Sequence, residues 1–122
     1  MVVWLHKVWK EHQMITIYQI NTQIGQNAID AKLKLMFGSE DFTPDMLQYF
    51  VSVAKVHTND LEEAFEATNI QTDTVVERFG KMHSTSVGDI FSKDGRFYMV
   101  DNFGFEELRL FNDEIEKIGM AA

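Results

Sequence analysis

The chain has 122 residues, of which 45% are hydrophobic and 25% are charged, and its formal net charge at pH 7 is -8. These values are typical of a single globular domain and exclude an intrinsically disordered chain. The absence of cysteine excludes a disulfide framework, a thiolate nucleophile and a zinc site with sulfur ligands, and the acidic charge disfavours direct binding of nucleic acid.

The sequence carries no targeting signal that we recognise. No apolar run approaches the roughly 20 residues that a membrane span requires. The N-terminus, "MVVWLHKVWKEHQ", has its charges after its apolar start, which is not the order of a signal peptide. We therefore expect a cytoplasmic protein with no membrane partner.

The first element that we predict with its boundaries is a buried strand at 14–21, "MITIYQIN", because Ile15 and Ile17 alternate in a β-branched and aromatic setting. Residues 1–13 precede it and contain a run of similar composition at 2–9. The sequence leaves two alternatives for this N-terminal segment, an upstream extension or an extra strand.

Two helices and a strand are predicted next. "NAIDAKLKLMFG" has apolar residues at a roughly helical spacing, and Gly38 is placed to end that helix. In "TPDMLQYF", Thr43 is the expected N-cap and Pro44 the first residue of a short helix. The valine-rich alternation that follows predicts a strand at 50–57.

"TNDLEEAFEATN" has the strongest helical pattern in the chain, with Thr58 or Asn59 as the expected cap and Asn69 as a left-handed terminator. Its glutamates occupy one face and its apolar residues the other. "TDTVVERFGKM" then predicts a short helix capped by Thr72 or Asp73. This helix would turn Val75, Val76 and Phe79 inward and would end at Gly80.

A hairpin is predicted from strands at 87–92 and 96–101 on either side of Asp94-Gly95, the dipeptide that tight hairpin turns prefer. The aromatic stretch that follows supplies core candidates, and the C-terminus predicts a weak acidic turn or helix. Those core candidates are Phe103, Phe105, Leu108 and Leu110. Together the elements predict an α+β fold over residues 14–122, with a mostly antiparallel sheet and helices largely on one face.

Chemistry-bearing residues concentrate in "MHSTSVGD". His83 is followed by hydroxyl groups that include Ser84 and Ser86, but no glycine elbow or oxyanion donor set accompanies them. We expect the hydroxyl groups to satisfy backbone groups of a loop, Gly88 to mark a bend, and Asp89 to accept hydrogen bonds from nearby amides. No metal-ligand spacing links the histidines, so neither a metal nor another cofactor is predicted.

The acidic side chains fall in two stretches, 59–77 and 101–116. The first contains no Lys or Arg, and the second contains one arginine, Arg109. An acidic surface attracts a basic groove on another protein; the alternative is that these acids only maintain solubility. The candidate protein-binding residues are Asp60, Glu62, Glu63, Glu66, Glu106 and Glu107.

Three segments in order, "VAKVHTNDLEEAFEATN", "ERFGKMHSTSVGDIF" and "DGRFYMVDNFGFEEL", resemble the YodL-like domains of phages and of polyvalent proteins of mobile elements. The resemblance covers about residues 50–108, with weaker similarity from Met14. It implies a phage or mobile-element setting and transfers no catalytic residue. The matching positions are Asp60, Leu61, Glu62, Phe65, His83, Ser84, Ser86, Val87, Gly88, Asp89, Asp101, Phe103, Gly104 and Phe105.

Three functions are compatible with these patterns. The first is a non-catalytic phage accessory protein that binds a host or phage protein, such as transcription or defence machinery, in the host cytoplasm. The second is a DNA mimic that occupies a DNA-binding enzyme. The third is a small ligand-binding protein or enzyme that uses the His83 loop. A homodimer paired through an exposed N-terminal strand is also compatible with the sequence.

Overall fold

The computed structural model describes residues 14–69 and 75–119; the expected N-terminal strand at 2–9 and the expected caps Thr72 and Asp73 lie outside them. Within the described residues, six antiparallel strands form one sheet in the order β3-β2-β1-β4-β5-β6, which confirms the α+β class. In the part of the chain that the structure describes, no helix has the length and apolar character needed to span a bilayer. The strands are β1 Ile15–Ile20, β2 Phe50–Val56, β3 Val76–Arg78, β4 Ile90–Lys93, β5 Arg96–Val100 and β6 Phe105–Leu108.

The described helical elements are short and lie between the strands or after them. The α-helices are α1 Gln26–Leu35, α2 Leu61–Asn69 and α3 Asn112–Ile115. The 3₁₀ helices are Thr22–Ile24, Ser39–Asp41 and Pro44–Tyr49. Thr43 stands at the N-cap position of the last of these, as predicted, but its side chain makes no capping hydrogen bond.

The β4–β5 hairpin is confirmed in detail. Lys93 pairs with Arg96, so Asp94 and Gly95 alone form the turn, and both have positive φ angles, 52° and 77°. These are the angles of a type I′ turn, whose twist matches that of the flanking strands. Ile90 is the first residue of β4, so the predicted strand at 87–92 begins three residues later than expected.

Cross-strand pairing shows that both faces of the sheet are buried. Ile17 pairs with Ala54 and with Phe91, whereas the adjacent Tyr18 pairs with Ile90. Paired residues point to the same face and successive residues alternate between faces. The sheet therefore separates two hydrophobic clusters, one containing Ile17 and Phe91 and the other containing Ile90.

Of the four described helices that pack on the clusters, three cover one face. Packed on the Ile90 face are buried residues of α1 and of the Pro44–Tyr49 helix, namely Ala28, Ala31, Leu35, Met46 and Leu47. Ile115 of α3 packs there as well. The opposite face is covered by α2 through Ala64 and Ala67. The prediction of helices largely on one face is confirmed, with α2 as the exception.

The prediction of a helix from "TDTVVERFGKM" is wrong. Val76–Arg78 is instead the edge strand β3, which pairs with β2 from Val56 to Ala54. Val76 is buried as expected, but Phe79 is 52% exposed. The spacing of the valines and Phe79 is compatible with one turn of helix. The segment forms a strand instead because the open edge of β2 offers it backbone hydrogen bonds.

Phe103 was also predicted wrongly, since its ring is 97% exposed rather than buried. The neighbouring core candidates Phe105, Leu108 and Leu110 are partly buried and pack against the two clusters. Phe105 and Leu108 belong to β6, whereas Phe103 occupies the turn between β5 and β6.

The N-cap of α2 is Asp60, not the predicted Thr58 or Asn59. Its Oδ1 atom accepts hydrogen bonds from the backbone N–H groups of Glu62 and Glu63 at 2.9 and 3.2 Å. Thr58 plays a supporting part, because its hydroxyl accepts a hydrogen bond from the Asp60 N–H.

We expect Asp60→Ala to lower the free energy of unfolding by about 1 kcal/mol, the usual cost of losing a carboxylate cap. The exposed neighbour Asn59 is the matched control, and Asn59→Ala should change the free energy of unfolding by less than about 0.5 kcal/mol. Urea denaturation of the two variants provides the comparison. Equal losses would show that the Asp60 carboxylate does not cap the helix.

Candidate functional site

The two acidic stretches of the sequence meet in a groove beside α2. The groove has a volume of about 270 Å³, and both Glu62 and Glu66 line it from the helix. Asp101 lines it from the β5–β6 turn, almost 40 positions away in the chain. The residues Glu62, Phe65, Glu66, Asp101 and Phe105 are called the acidic groove below.

The floor of the acidic groove is aromatic. Phe105 is half-buried, and its ring centroid lies 5.3 Å from that of Phe91 in the core. Phe65 is also half-buried and packs on the same cluster. The groove thus places carboxylates around an apolar floor that the sheet holds rigidly, and this combination suits an amphipathic partner.

Phe103 projects from the turn that borders the acidic groove. The Asp101 N–H donates to the Gly104 carbonyl oxygen at 2.9 Å and closes the turn around Asn102 and Phe103. A fully exposed phenylalanine is unfavourable in water, because its apolar surface remains hydrated. Exposed aromatic side chains of this kind are frequent anchors in protein interfaces.

Asp101 is held as a carboxylate by its neighbours. The Ser39 hydroxyl donates to its Oδ2 at 2.6 Å, and the N–H groups of Asn102 and Ser39 donate to its Oδ1 at 2.9 and 3.2 Å. These hydrogen bonds hold the pKa of Asp101 below its usual range, the Ser39 hydroxyl most of all. The turn that presents Phe103 is therefore tied to the segment after α1.

The other predicted acidic residues are not all brought to this groove. Asp60 caps α2 with its carboxylate, and Glu63 is exposed on the same helix. Glu106 and Glu107 are exposed on the edge strand β6, where both line a second groove with Glu40. The structure thus joins the first acidic stretch to Asp101, and Asp101 also lines the second groove, so Glu106 and Glu107 lie on a surface that adjoins the acidic groove.

A buried polar network lies under the His83 loop and centres on Gln19, a residue that the sequence analysis missed. Gln19 is 2% exposed, and its Nε2 donates to Asp89 Oδ2 and to the His83 carbonyl oxygen, both at 3.0 Å. Its Oε1 accepts the His83 N–H at 3.3 Å. A signal for this residue was present: Gln19 continues the two-residue period of Ile15 and Ile17, which places it on a buried face.

Asp89 is nearly fully buried and accepts hydrogen bonds from the Gln19 side chain and, at 3.0 Å, from the Ser86 N–H. Acceptance from neighbouring amides was predicted and is confirmed. Burial raises the pKa of Asp89 to about 6, against the opposing effects of these hydrogen bonds and of His83 and Lys32. Its charge therefore changes near neutral pH.

The raised pKa of Asp89 has a consequence for stability. Between the unfolded pKa near 3.8 and the folded value near 6, the native state binds more protons than the unfolded state, so stability falls as the pH rises. We expect the Asp89→Asn variant to lack this component. Relative to wild type, its unfolding free energy should improve by about 1 kcal/mol between pH 5 and pH 7.

Chemical denaturation at a series of pH values measures this difference. Parallel pH profiles for wild type and Asp89→Asn would contradict the assignment of the raised pKa to Asp89.

The imidazole of His83 is exposed, and its two nitrogens meet different partners. Nδ1 lies 2.8 Å from the Ser84 carbonyl oxygen, and Nε2 lies 3.1 Å from Lys32 Nζ. The tautomer protonated on Nδ1 satisfies both contacts, with Lys32 as the donor to Nε2. Neither contact activates a hydroxyl group as a nucleophile.

The hydroxyl groups of the loop behave differently from one another. Thr85 is buried, and its Oγ1 lies 2.8 Å from Thr68 Oγ1 and 3.5 Å from the Phe65 carbonyl oxygen. Ser84 and Ser86 are exposed. The hydroxyl groups were predicted to satisfy backbone groups of the loop itself, but the Thr85 hydroxyl contacts α2 instead. Within 14–69 and 75–119, no group of three His, Asp or Glu side chains is placed to hold a metal ion.

Gly88 marks a bend, as predicted. Its φ is +97°, and its N–H donates to the Val100 carbonyl oxygen at 2.9 Å. A Cβ at this position would lie 2.9 Å from the Cβ of Leu35. The loop thus descends onto α1 at a point where only glycine fits.

Comparisons with known proteins identify a family for this chain. No curated protein matches this chain, and no solved structure matches it. The family model described as the YodL-like domain matches residues 14–111, which include all six strands and both the acidic groove and the His83 loop. On this match, the chain belongs to the YodL-like domain family.

Proposed function

We propose that this domain is a phage accessory protein that binds a host or phage protein, such as a component of transcription or defence machinery, in the host cytoplasm. The acidic groove and Phe103 form the binding surface. The observation that carries the proposal is the meeting of Glu62 and Glu66 with Asp101 around an aromatic floor, beside a phenylalanine that is 97% exposed.

The chemistry of this surface specifies the partner. Carboxylates at the rim attract Lys and Arg and accelerate association, while the apolar floor and Phe103 provide surface to bury on contact. The partner should therefore present a basic surface with an apolar pocket. Direct binding to nucleic acid is disfavoured, because phosphates would meet like charge.

A DNA mimic is the narrower form of this proposal. In that case the basic partner surface would itself be a DNA-binding site, and the exposed acids on α2 and β6 would take the places of phosphates. Competition separates the two forms. DNA displaces the domain from its partner if the domain is a mimic, and leaves the complex intact otherwise.

Affinity purification from host lysate with charge-reversed variants tests the proposal. We expect the double variant Glu62→Arg/Glu66→Arg to weaken binding of the enriched partner at least about tenfold, since it replaces attraction with repulsion at the rim of the groove. Raising the ionic strength should weaken wild-type binding as well. Quantitative mass spectrometry identifies the partner, and titration of the purified partner gives the affinity.

The control variant Asp113→Arg/Glu116→Arg changes net charge by the same amount at exposed positions near the C-terminus. It should retain the partner if the groove is the contact surface. Recovery of the same proteins by the groove variant, or of none above background by wild type, would refute the proposal.

A further inference from the structure

A third groove lies beside β1, β2 and β3, between the turn after β1 and the segment after β3, whereas Phe103 follows β5. Its volume is about 720 Å³, and its walls include residues 19–23, 51–53 and 79–83. Lys32 of α1 lines it as well. The groove is independent of the acidic groove, and neither the family match nor the proposed function assigns it a role.

Its charge is opposite to that of the protein. The titratable side chains among the lining residues are Lys32, Lys81 and His83, and no Asp or Glu within 14–69 and 75–119 lines the groove. In a chain with a formal charge of -8, these side chains make the local potential less negative, and the buried Asp89 behind Gln19 offsets part of their charge. Such a cavity favours an anion.

Lys32 is positioned rather than freely mobile. It is half-buried, and its ammonium group is directed to His83 Nε2 at 3.1 Å. An ammonium group has three N–H donors, and this contact uses one of them. His83 is in turn fixed by Gln19, which bonds both its N–H and its carbonyl oxygen. Donors are thus held at one end of the groove by a network anchored in the core.

The lining also includes apolar and aromatic side chains. Phe79 lines the groove and is 52% exposed, and Met82 and Val53 line it as well. Lys55 Nζ lies 6.0 Å from the centre of the Phe79 ring. A flat aromatic surface close to cations suits a ligand that combines an anionic group with a planar or apolar part.

We propose that this groove binds a small organic anion. A carboxylate or phosphate group meets Lys32 and Lys81, and the planar or apolar part lies against Phe79. The pairing of a held ammonium group with an exposed ring is the feature that defines the site.

Two-dimensional ¹H–¹⁵N NMR titrations of the full chain test the proposal with four defined probes: phenyl phosphate, benzoate, inorganic phosphate and benzyl alcohol. We expect phenyl phosphate or benzoate to saturate shifts of amides in 19–23 and 79–83 at concentrations up to about 10 mM. Whichever of these two probes binds more tightly shows whether the site prefers a phosphate or a carboxylate group. Inorganic phosphate should bind more weakly because it lacks the ring, and benzyl alcohol because it lacks the charge.

Variants locate the binding. Lys81→Gln and Lys32→Gln should each weaken the best probe by about fivefold or more, whereas Lys117→Gln, an exposed lysine near the C-terminus, should not. Lys81 is exposed, so its substitution leaves the fold intact. The proposal is overturned if the shifts do not saturate, if benzyl alcohol binds as tightly as the anions, or if all three lysine variants behave alike.

Discussion

Gly88→Ala is expected to destabilise the protein by about 2–4 kcal/mol, because two separate costs add at this position. Alanine at a φ of +97° incurs backbone strain of about 1–2 kcal/mol. Its Cβ would also lie 2.9 Å from the Cβ of Leu35, and overpacking of this kind costs about 1–3 kcal/mol.

The clash at Gly88 has no easy relief. A Cβ atom cannot rotate away as the end of a side chain can, and Leu35 is 1% exposed within α1. Either α1 or the loop must therefore move. Movement of the loop would disturb the hydrogen bond from the Gly88 N–H to Val100 and hence the start of the hairpin.

Variants at two other glycines separate the cost of backbone strain from the cost of overpacking. Gly104 has a φ of +74° with open space around it, so Gly104→Ala should cost only the backbone strain of about 1–2 kcal/mol. Gly80 has open space and no positive φ, so Gly80→Ala should change stability by less than about 0.5 kcal/mol. Thermal or urea unfolding of the three variants should rank them in this order. A Gly88→Ala variant as stable as Gly104→Ala would show that α1 and the loop are not in tight contact.

Gln19→Leu is expected to cost about 2–4 kcal/mol at pH 7, because it removes the side-chain donor to the Asp89 carboxylate and both bonds to the His83 backbone. Leaving a buried charged acceptor short of a partner costs more than losing a bond at the surface. The loop that carries His83 would lose its anchor to β1.

The cost of Gln19→Leu should depend on pH in a defined direction. Because the pKa of Asp89 is near 6, the group is mostly neutral in the native state at pH 5 and needs its donor less. We expect the loss to be smaller at pH 5 than at pH 7 by about 1 kcal/mol. Gln19→Glu should show the same trend more strongly, since it places two carboxyl groups together.

Two controls accompany this measurement. His83→Ala keeps the backbone groups that Gln19 binds and removes an exposed ring, whose contacts are with Ser84, Lys32 and, at 3.3 Å, Gln19 Nε2, so it should cost less than about 1 kcal/mol. The double variant Gln19→Leu/Asp89→Asn should lose less than the sum of its single variants if the two side chains interact directly. An additive result, or a pH-independent cost of Gln19→Leu, would refute the buried network between Gln19 and Asp89.

Local sequence signals predicted the elements whose shape depends on local chemistry. Asp94-Gly95 specifies a two-residue turn because both positions need positive φ, and Gly38 follows α1 as its pattern indicates. Thr43 and Pro44 marked the start of a helical turn correctly, though that turn is 3₁₀ rather than α. These features need no knowledge of the rest of the fold.

Features set by distant parts of the chain were not predictable in this way. Val76–Arg78 has a pattern compatible with a helix, and only the open edge of β2 makes it a strand. Phe103 is apolar like its core neighbours, but the turn closed by Asp101 and Gly104 carries it into solvent.

In the candidate sites, too, local features were predictable from the sequence and long-range contacts were not. Sequence reasoning identified the acidic residues and the His83 loop as segments, because their composition is unusual. It did not show that Glu62 and Glu66 line one groove with Asp101, because α2 and the β5–β6 turn are brought together only by packing on one face of the sheet. Lys32 was likewise missed, since its contact with His83 spans 51 positions.

Site-specific photo-crosslinking tests most directly the central claim that the acidic groove is the protein-binding surface. A photoreactive benzoyl-phenylalanine replaces Phe103 in one variant and Phe111 in another; the native rings are 97% and 76% exposed. After irradiation in host lysate, position 103 should yield a crosslinked protein with a basic contact surface, and position 111 should not. A crosslink at position 111 with none at position 103 would contradict this claim.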